Sequence, residues 1–373
     1  MQDSLTSFRP EYPAPGENLK EILDSRGIKV VDFAQRCGRP TKTISEIISG
    51  DTAITPETAL QFQHVLMKPA AETWIQWESA YRLRLAELKE EGELEKLYGW
   101  ATSFPLKELS SRNLITLPNN KIDLVKEALG FFGVSSLKAW KQLQLGQERA
   151  ISYRKTKHHK GNDASIAAWL RIGYIKAAGI DTPPYDEKKF KETLPQIRAL
   201  TFLEREEFEP TLIELCKSNG VALVIVDELK GTRLSGAARW ITKDKPLIQL
   251  STRYSIEDQF WFSFFHEAGH ILLHSKKALF IDEDDGIDEI IETEADRFAE
   301  NCLLPSTVLD SFYERYGKPG SKPAPHTEEN IRDFAEQIGV SPGIVLAQMQ
   351  RRYPSLYRHK LNKILKRNIR NSA

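Results

Sequence analysis

The chain has 373 residues, with 52 basic and 52 acidic side chains, so its overall charge favours no particular class of partner. This length predicts two or three domains with ample material for a hydrophobic core. Three widely spaced cysteines argue against a disulfide framework. We expect no signal peptide, and no apolar run reaches the ~20 residues needed to span a bilayer. The expected protein is cytoplasmic and has no membrane segment.

The N-terminal part predicts a flexible arm followed by a small helical domain. Residues 1–15 contain prolines and no periodic apolar pattern, which predicts the arm. Residues 16–90 then carry short apolar stripes that end at Gly27, Gly38 and Gly50. Short helices broken by glycine at this spacing are typical of a helix-turn-helix, so we predict a DNA-binding domain here.

The expected DNA contacts lie on and beside one helix. The second helix of such a pair enters the major groove, and here it is residues 40–49. Arg39 precedes it, where a backbone phosphate could be met. The helix offers short donors and a cation, suited to phosphates and base edges: Thr41, Lys42, Thr43 and Ser45. Basic and acidic residues balance over residues 17–68, so a small protein-interaction bundle explains the same pattern.

Three short motifs make this interpretation more specific. They are Ile44-Ser45-Glu46-Ile47-Ile48-Ser49-Gly50, Ile54-Thr55-Pro56-Glu57-Thr58-Ala59-Leu60 and Trp74-x-x-Trp77-Glu78-x-x-Tyr81. With them, residues 15–85 resemble the HigA branch of the XRE-type helix-turn-helix regulators. The resemblance implies an antitoxin-like repressor that binds its own operator DNA as a homodimer through the N-terminal module. It also implies an RNA-cleaving toxin as partner.

The rest of the chain is predicted to be helical around one small sheet. Residues 91–195 alternate apolar stripes with glycine breakers, which predicts a helical connecting domain. Apolar, β-branched runs predict three strands, at 220–227, 234–240 and 247–250. Residues 311–373 are predicted to form a C-terminal helical region with a basic tail. The expected fold class is therefore mainly α with a small α+β part.

The strongest chemical signal is the motif His266-Glu267-Ala268-Gly269-His270. Histidines four residues apart lie on one face of a helix, so one cation can touch both imidazoles. Glu267 then lies beside the open coordination position, where it can act as a base. The pattern predicts zinc-dependent hydrolysis, although a pair of core histidines would also produce it.

A catalytic zinc site needs a third protein ligand, and a second predicted helix supplies one. Glu292 can bind the metal, and Asp296, one turn later on the same face, can hold a ligand imidazole from behind. Glu294 lies about 200° round the helix from Glu292, so the two cannot both point at the metal. We therefore predict Zn²⁺ bound by His266, His270 and Glu292.

Two longer motifs extend this signal. His266-Glu267-x-x-His270-x-x-x-His274 is followed by Glu292-x-Glu294-Ala295-Asp296-x-Phe298-Ala299-x-x-x-Leu303-Leu304-Pro305. With them, residues 200–310 resemble the ImmA/IrrE family of bacterial and phage metallopeptidases. The resemblance implies a zincin-like peptidase domain over 196–310, with a gluzincin-like site in which Glu292 is the third ligand. His274 and Arg239 are candidates to stabilise the oxyanion, and His274 could equally serve to shape the helix around the site.

Two functions remain open at this point. The first is a transcriptional regulator whose zinc metallo-endopeptidase domain hydrolyses a peptide bond in a repressor, a toxin or the chain's own N-terminal module. The second is a HigA-like antitoxin and repressor in which zinc has a structural or sensing role without proteolysis. Glu267 favours the first, because a structural zinc site has no need of a base. Both functions can coexist in one molecule.

Overall fold

The computed structural model describes residues 13–143, 162–253, 256–274, 285–322, 324–358 and 360–369. Most of the predicted arm, residues 1–12, lies outside these ranges. The chain divides into two units, of which the first holds residues 1–101 and 118–126 and the second holds the remainder. Helices dominate and one three-stranded sheet accompanies them, so the expected fold class, mainly α with a small α+β part, is confirmed.

The first unit is a set of helices built on the glycine-broken apolar stripes. They are α1 (Pro15–Ser25), α2 (Val30–Arg36), α3 (Thr41–Ile48), α4 (Pro56–Leu66), α5 (Ala71–Glu95) and α6 (Tyr98–Ala101). Phe33 from α2, Ile44 from α3, Phe62 from α4 and Trp74 from α5 are fully buried in one core. Thr55 caps α4 by accepting a hydrogen bond from the backbone N–H of Thr58. A common core therefore fixes the position of α3 against α2.

The second unit surrounds a small sheet with helices. Before the sheet come α7 (Leu106–Ser111), α8 (Lys121–Phe132, which begins in the first unit), α9 (Asp163–Ala178), α10 (Glu187–Ala199) and α11 (Arg205–Ser218). After it come α12 (Glu257–Leu273), α13 (Asp285–Leu303), α14 (Ser306–Tyr316), α15 (Glu328–Ile338), α16 (Pro342–Arg352) and α17 (Asn362–Leu365). Among the described residues, every helix is too short or too polar to span a bilayer.

The sheet contains β1 (Ala222–Ile225), β2 (Gly236–Thr242) and β3 (Lys245–Leu250), with β3 in the centre. β1 runs parallel to β3, and β2 pairs antiparallel with it, so that Gly236 lies opposite Leu250. One face packs on α9, where the amide of Gln249 donates to the carbonyl oxygen of Trp169 at 2.8 Å. Helix α12 packs on the sheet as well, through the side of β2 that carries Gly236.

Helix α12 is buried on nearly every side. Its aromatic residues Phe260, Trp261, Phe264 and Phe265 all lie in the main core of the unit. A helix that is apolar on most sides belongs in the interior of a domain. This explains why the positions that flank the two histidines, apart from Glu267, carry no charge.

The first turn of α12 is tied to a segment near the end of the chain, residues 366–369. Glu257 is completely buried, and the guanidinium Nε of Arg367 lies 2.7 Å from its Oε2. Lys366 pairs with Asp258 at 2.7 Å, and Ile256 forms an isolated antiparallel bridge with Asn368. Burial raises the pKa of Glu257, while the hydrogen bonds from Arg367 act in the opposite direction. The segment therefore compensates a charge that burial would otherwise make very costly.

Replacing Arg367 should destabilise the second unit. In Arg367→Ala the Glu257 carboxylate stays buried without its cation, and we expect a loss of about 3 kcal/mol in the free energy of unfolding. Urea denaturation measures this. The control is Arg332→Ala, which removes a half-exposed pair with Glu328 and should cost less than about 1 kcal/mol. Equal effects of the two substitutions would show that the buried Glu257–Arg367 pair contributes no more to the free energy of unfolding than a half-exposed pair.

Candidate metal centre

The residues predicted to bind metal come together where α12 and α13 lie side by side in opposite directions. His266 on α12 meets Asp296, and His270, one turn later, meets Glu292. Gly269 lies between the two histidines on the side facing α13. A Cβ atom built there would come 3.0 Å from a ring carbon of Phe298. The missing side chain therefore lets α13 approach closely enough for its acids to reach the imidazoles.

Three side chains converge on one point, and we call His266, His270 and Glu292 the ligand triad. The Nε2 atoms of His266 and His270 are 2.9 Å apart. The carboxylate oxygens of Glu292 lie 3.4 Å from the first nitrogen and 3.3 Å from the second. Ligand atoms about 2.0–2.1 Å from a tetrahedral zinc are separated from each other by roughly 3.3 Å. The spacing of the triad thus has the dimensions of a zinc site.

Each histidine of the triad is held from behind. The Nδ1 of His266 lies 2.8 Å from Oδ1 of Asp296. The Nδ1 of His270 lies 3.1 Å from Nδ1 of His274, whose Nε2 in turn lies 3.2 Å from Oε2 of Glu294. A carboxylate thus stands behind each imidazole, directly for His266 and through a second imidazole for His270. Such outer contacts fix the orientation and tautomer of ligand histidines.

The hydrogen bonds determine which ring nitrogens of the triad carry protons. If Nδ1 of His266 donates to Asp296, its Nε2 presents a lone pair to the centre. If Nδ1 of His270 donates to His274, the Nε2–H of His274 donates to Glu294 and the Nε2 of His270 presents a second lone pair. Burial and the neighbouring His270 lower the pKa of His274, which favours this neutral form, while Glu294 opposes them.

Two lone pairs and a carboxylate that face one point would be stabilised by a positive charge between them. Burial alone would raise the pKa of Glu292, but hydrogen bonds and positive charge from the His266 and His270 imidazoles lower that pKa to about 2. A bound cation would take the place of those protons. The carboxylate is therefore ionised at neutral pH. Two nitrogens and an oxygen are a donor set that Zn²⁺ accepts readily. The residues present fit a bound zinc ion.

Glu267 follows His266 on α12 and is directed toward strand β2. It is buried, and a Cβ atom added at Gly236 would come 2.7 Å from its Oε1. The carboxylate therefore fills the space that a side chain at position 236 would need. A buried acid one residue after His266 is a candidate to exchange protons with groups bound at the triad.

The two candidates for an oxyanion donor lie in different places. Side chains alternate along a strand, so Gly236 and Arg239 face opposite sides of the sheet. The guanidinium of Arg239 donates to the backbone carbonyl of Leu170 on α9 and does not face the triad. His274 does lie at the site, but both its ring nitrogens contact His270 and Glu294. The structure therefore removes Arg239 from the group of residues around the triad.

The predicted DNA-contact residues lie on and beside α3. Thr41, Lys42 and Ser45 are exposed, while Thr43 is half-buried, because Ile44 and Ile47 anchor the helix in the core. The ammonium of Lys42 lies 3.7 Å from Glu46 on the same helix. The half-buried Arg39 donates from Nε to the Gln61 side chain at 2.6 Å, so its guanidinium is held against α4. Their role in DNA binding stays a prediction.

Sequence reasoning missed the part played by Glu294. Its position on α13 keeps it away from the metal, but it reaches His274 instead. One signal was available. His274 follows His270 by four residues, so the two share a helix face, and the outer imidazole would need a hydrogen-bond partner of its own. The aromatic wall beside His266 was missed too, where the Phe262 ring lies 6.1 Å from the imidazole.

Removing either acid behind the histidines should weaken metal binding. We expect Asp296→Asn and Glu294→Gln each to lower zinc affinity by about 10- to 100-fold, since such contacts orient ligand imidazoles. Zinc titration of the full chain against a competing chelator measures this. The control is Arg297→Gln, an exposed position on the same helix, which should leave the affinity unchanged. Unaltered affinity in both acid variants would rule out the orienting role.

Known proteins match the two ends of the chain separately. A family model described as the IrrE N-terminal-like domain of peptidase family M78 matches residues 223–349. YddM of Escherichia coli strain K12, an uncharacterized HTH-type transcriptional regulator, is 29% identical over 76 residues, covering 20% of this chain and 80% of that protein. Virulence-associated protein A of Dichelobacter nodosus is 31% identical over 72 residues, covering 19% of this chain and 71% of that protein.

A solved structure from Nostoc punctiforme, described as an antidote protein of a plasmid maintenance system, is 26% identical in sequence. The match covers 24% of this chain and 96% of the Nostoc chain, with a TM-score of 0.23. The family match includes the whole ligand triad, and the regulator relatives belong to the N-terminal part. The chain is therefore a fusion of an N-terminal helix-turn-helix regulator module with an IrrE N-terminal-like domain of the ImmA/IrrE metallopeptidase family.

Proposed function

We propose that the chain is a transcriptional regulator that binds operator DNA and also acts as a zinc metallo-endopeptidase on a regulatory protein. The observation that carries this proposal is the position of Glu267, a buried carboxylate directly after a ligand of the triad. A site built only to hold metal has no use for it. The match to a peptidase family over residues 223–349 supports the same reaction class.

The proposed reaction is hydrolysis of a peptide bond. Zinc, when bound by the triad, would polarise the scissile carbonyl and lower the pKa of water to about 7. The carboxylate of Glu267 would accept the proton of the attacking water and pass it to the leaving amide nitrogen. Burial of Glu267 against Gly236 keeps its carboxylate in one position for both transfers. Asp296 and the pair His274–Glu294 would hold the imidazoles in place throughout.

Strand β2 offers a place for the peptide substrate. Within the described ranges it is an outer strand of the sheet, and its first residue, Gly236, lies beside Glu267. An extended peptide can add to the edge of a sheet through backbone hydrogen bonds. Such pairing would place a scissile carbonyl beside the triad, whatever side chains the peptide carries.

The N-terminal module supplies the regulatory half of the proposal. Its HTH-type relatives support DNA binding, and α3 carries the exposed donors Thr41 and Ser45 beside Lys42. We propose that this module binds its operator as a homodimer. The substrate would be a repressor or a toxin encoded with it. In the alternative, a HigA-like antitoxin without proteolysis, Glu267 would be dispensable, and the first experiment below distinguishes the two.

Glu267→Gln should abolish cleavage and leave zinc bound. We expect proteolysis to fall at least about 100-fold, because the amide cannot accept the proton. Mass spectrometry of protein N-termini in cells that express the wild-type chain or the variant measures this. Glu206→Gln, an exposed position on α11, is the matched control. New N-termini present with both the wild type and Glu267→Gln would exclude Glu267 as the base, and their absence with the wild type would favour the antitoxin alternative.

The double variant Lys42→Ala with Thr43→Ala should lose operator binding. We expect at least about 10-fold weaker binding to the DNA upstream of the chain's own gene, since each lost contact costs about 1–3 kcal/mol. Gel-shift titration at fixed salt concentration measures this. The exposed Lys89→Ala on α5 removes the same charge and serves as control. Undiminished binding of the double variant would exclude α3 as the recognition helix.

A further inference from the structure

A pocket of about 230 Å³ lies at the N-terminal half of α12, between that helix, the end of α13 and α16. Its apolar walls come from Phe262, Leu303 and Ile344, and Asp258, Gln259 and Gln348 contribute polar groups. The guanidinium of Arg351 stacks 3.5 Å over the ring of Phe262. None of the ligand triad lines this pocket, so the metal centre alone does not account for it.

The pocket lies along the same helix faces as the triad. Gln259, Ser263, His266 and His270 follow each other at helical spacing and share one face of α12. Glu292, Asp296, Ala299 and Leu303 do the same on α13, so both rows lead from the triad to the pocket. Ser235, which also lines the pocket, directly precedes Gly236 beside Glu267. A peptide bound at the triad would therefore have the pocket one or two helical turns away, about 6–11 Å.

One residue that lines the pocket has an acceptor without a donor. Asp258 is only 9% exposed; its Oδ2 binds Lys366 at 2.7 Å, whereas its Oδ1 has no hydrogen-bond partner among the described residues. A buried carboxylate oxygen without a donor costs free energy that a bound group can recover.

The charges around the pocket are already balanced. Asp258 is paired with Lys366, and Arg351 is paired with Glu300 at 2.9 Å. A cationic side chain would add an uncompensated charge beside Arg351 and Lys366, and an anionic one would face Asp258. A neutral donor fits instead. A carboxamide matches best, because it can donate to Asp258 while its oxygen accepts from the amide of Gln259 or Gln348.

We propose that this pocket binds the side chain of a glutamine in the protein substrate, near the scissile bond. Its two methylene groups lie against Phe262 and Ile344, and its carboxamide reaches Asp258. The assignment of the bound molecule as a substrate rests on the proposed peptidase function. The pocket makes the chain selective among peptides that can pair equally well with β2.

The experiment uses the full chain carrying Glu267→Gln, loaded with zinc, so that binding is measured without cleavage. The probes are blocked amino acids, N-acetylglutamine N-methylamide and the corresponding methionine, glutamate and lysine derivatives. Saturation-transfer NMR titrations give their affinities. We expect the glutamine probe to bind at least about 5-fold more tightly than the methionine probe, which has similar length but no donor. Equal or weaker binding of the glutamine probe, or no binding, overturns the proposal.

Two variants locate the binding. Ala347→Phe places a ring in the pocket and should abolish binding of the glutamine probe, while Ser218→Phe, on the exposed surface of α11, should not. Asp258→Asn should remove the preference for glutamine over methionine with zinc content unchanged. Thermal unfolding shows that each variant is folded. Binding that survives in a folded Ala347→Phe variant contradicts the proposal. Loss of cleavage in cells would leave these measurements untouched, so the two proposals fail separately.

Discussion

Two imidazole nitrogens face each other across 2.9 Å, with the carboxylate of Glu292 next to both. A bound cation would stabilise three electron-rich groups gathered in a space of this size, and much of the second unit is arranged to hold them there. The histidines stand on a helix that is buried on nearly every side, so water would not dilute the field of a bound ion. Their other nitrogens are committed to groups that end in a carboxylate.

The helix that carries the histidines is fixed on several sides. The sheet and the hydrophobic core pack against α12 along its length. Helix α13 packs against it at Gly269, and residues 366–369 bind its first turn. Because these contacts lie at different places along the helix, they restrict its movement together. A site whose ligands must stay within a few tenths of an ångström benefits from this redundancy.

Much of this arrangement follows from local periodicity. The shared face of His266 and His270, the partner positions Glu292 and Asp296, and the apolar strands all follow from the repeat lengths of helix and strand. What local pattern cannot contain is the register between distant segments. The pairing of Glu257 with Arg367 joins residues 110 positions apart, and the face on which Arg239 lies depends on how β2 sits between α9 and α12. The contact of Glu294 with His274 depends on both helix packing and side-chain reach.

The absence of a side chain at position 236 has a consequence for how variation in this protein should be read. Glycine there contributes no functional group, yet the volume it leaves is occupied by the Glu267 carboxylate. Even an added methyl group would displace that carboxylate. Gly236→Ala would therefore have the same effect as a substitution of Glu267, while the fold stays intact. In a saturation mutagenesis map, Gly236 would be as sensitive to substitution as the two histidines, although it has no functional group.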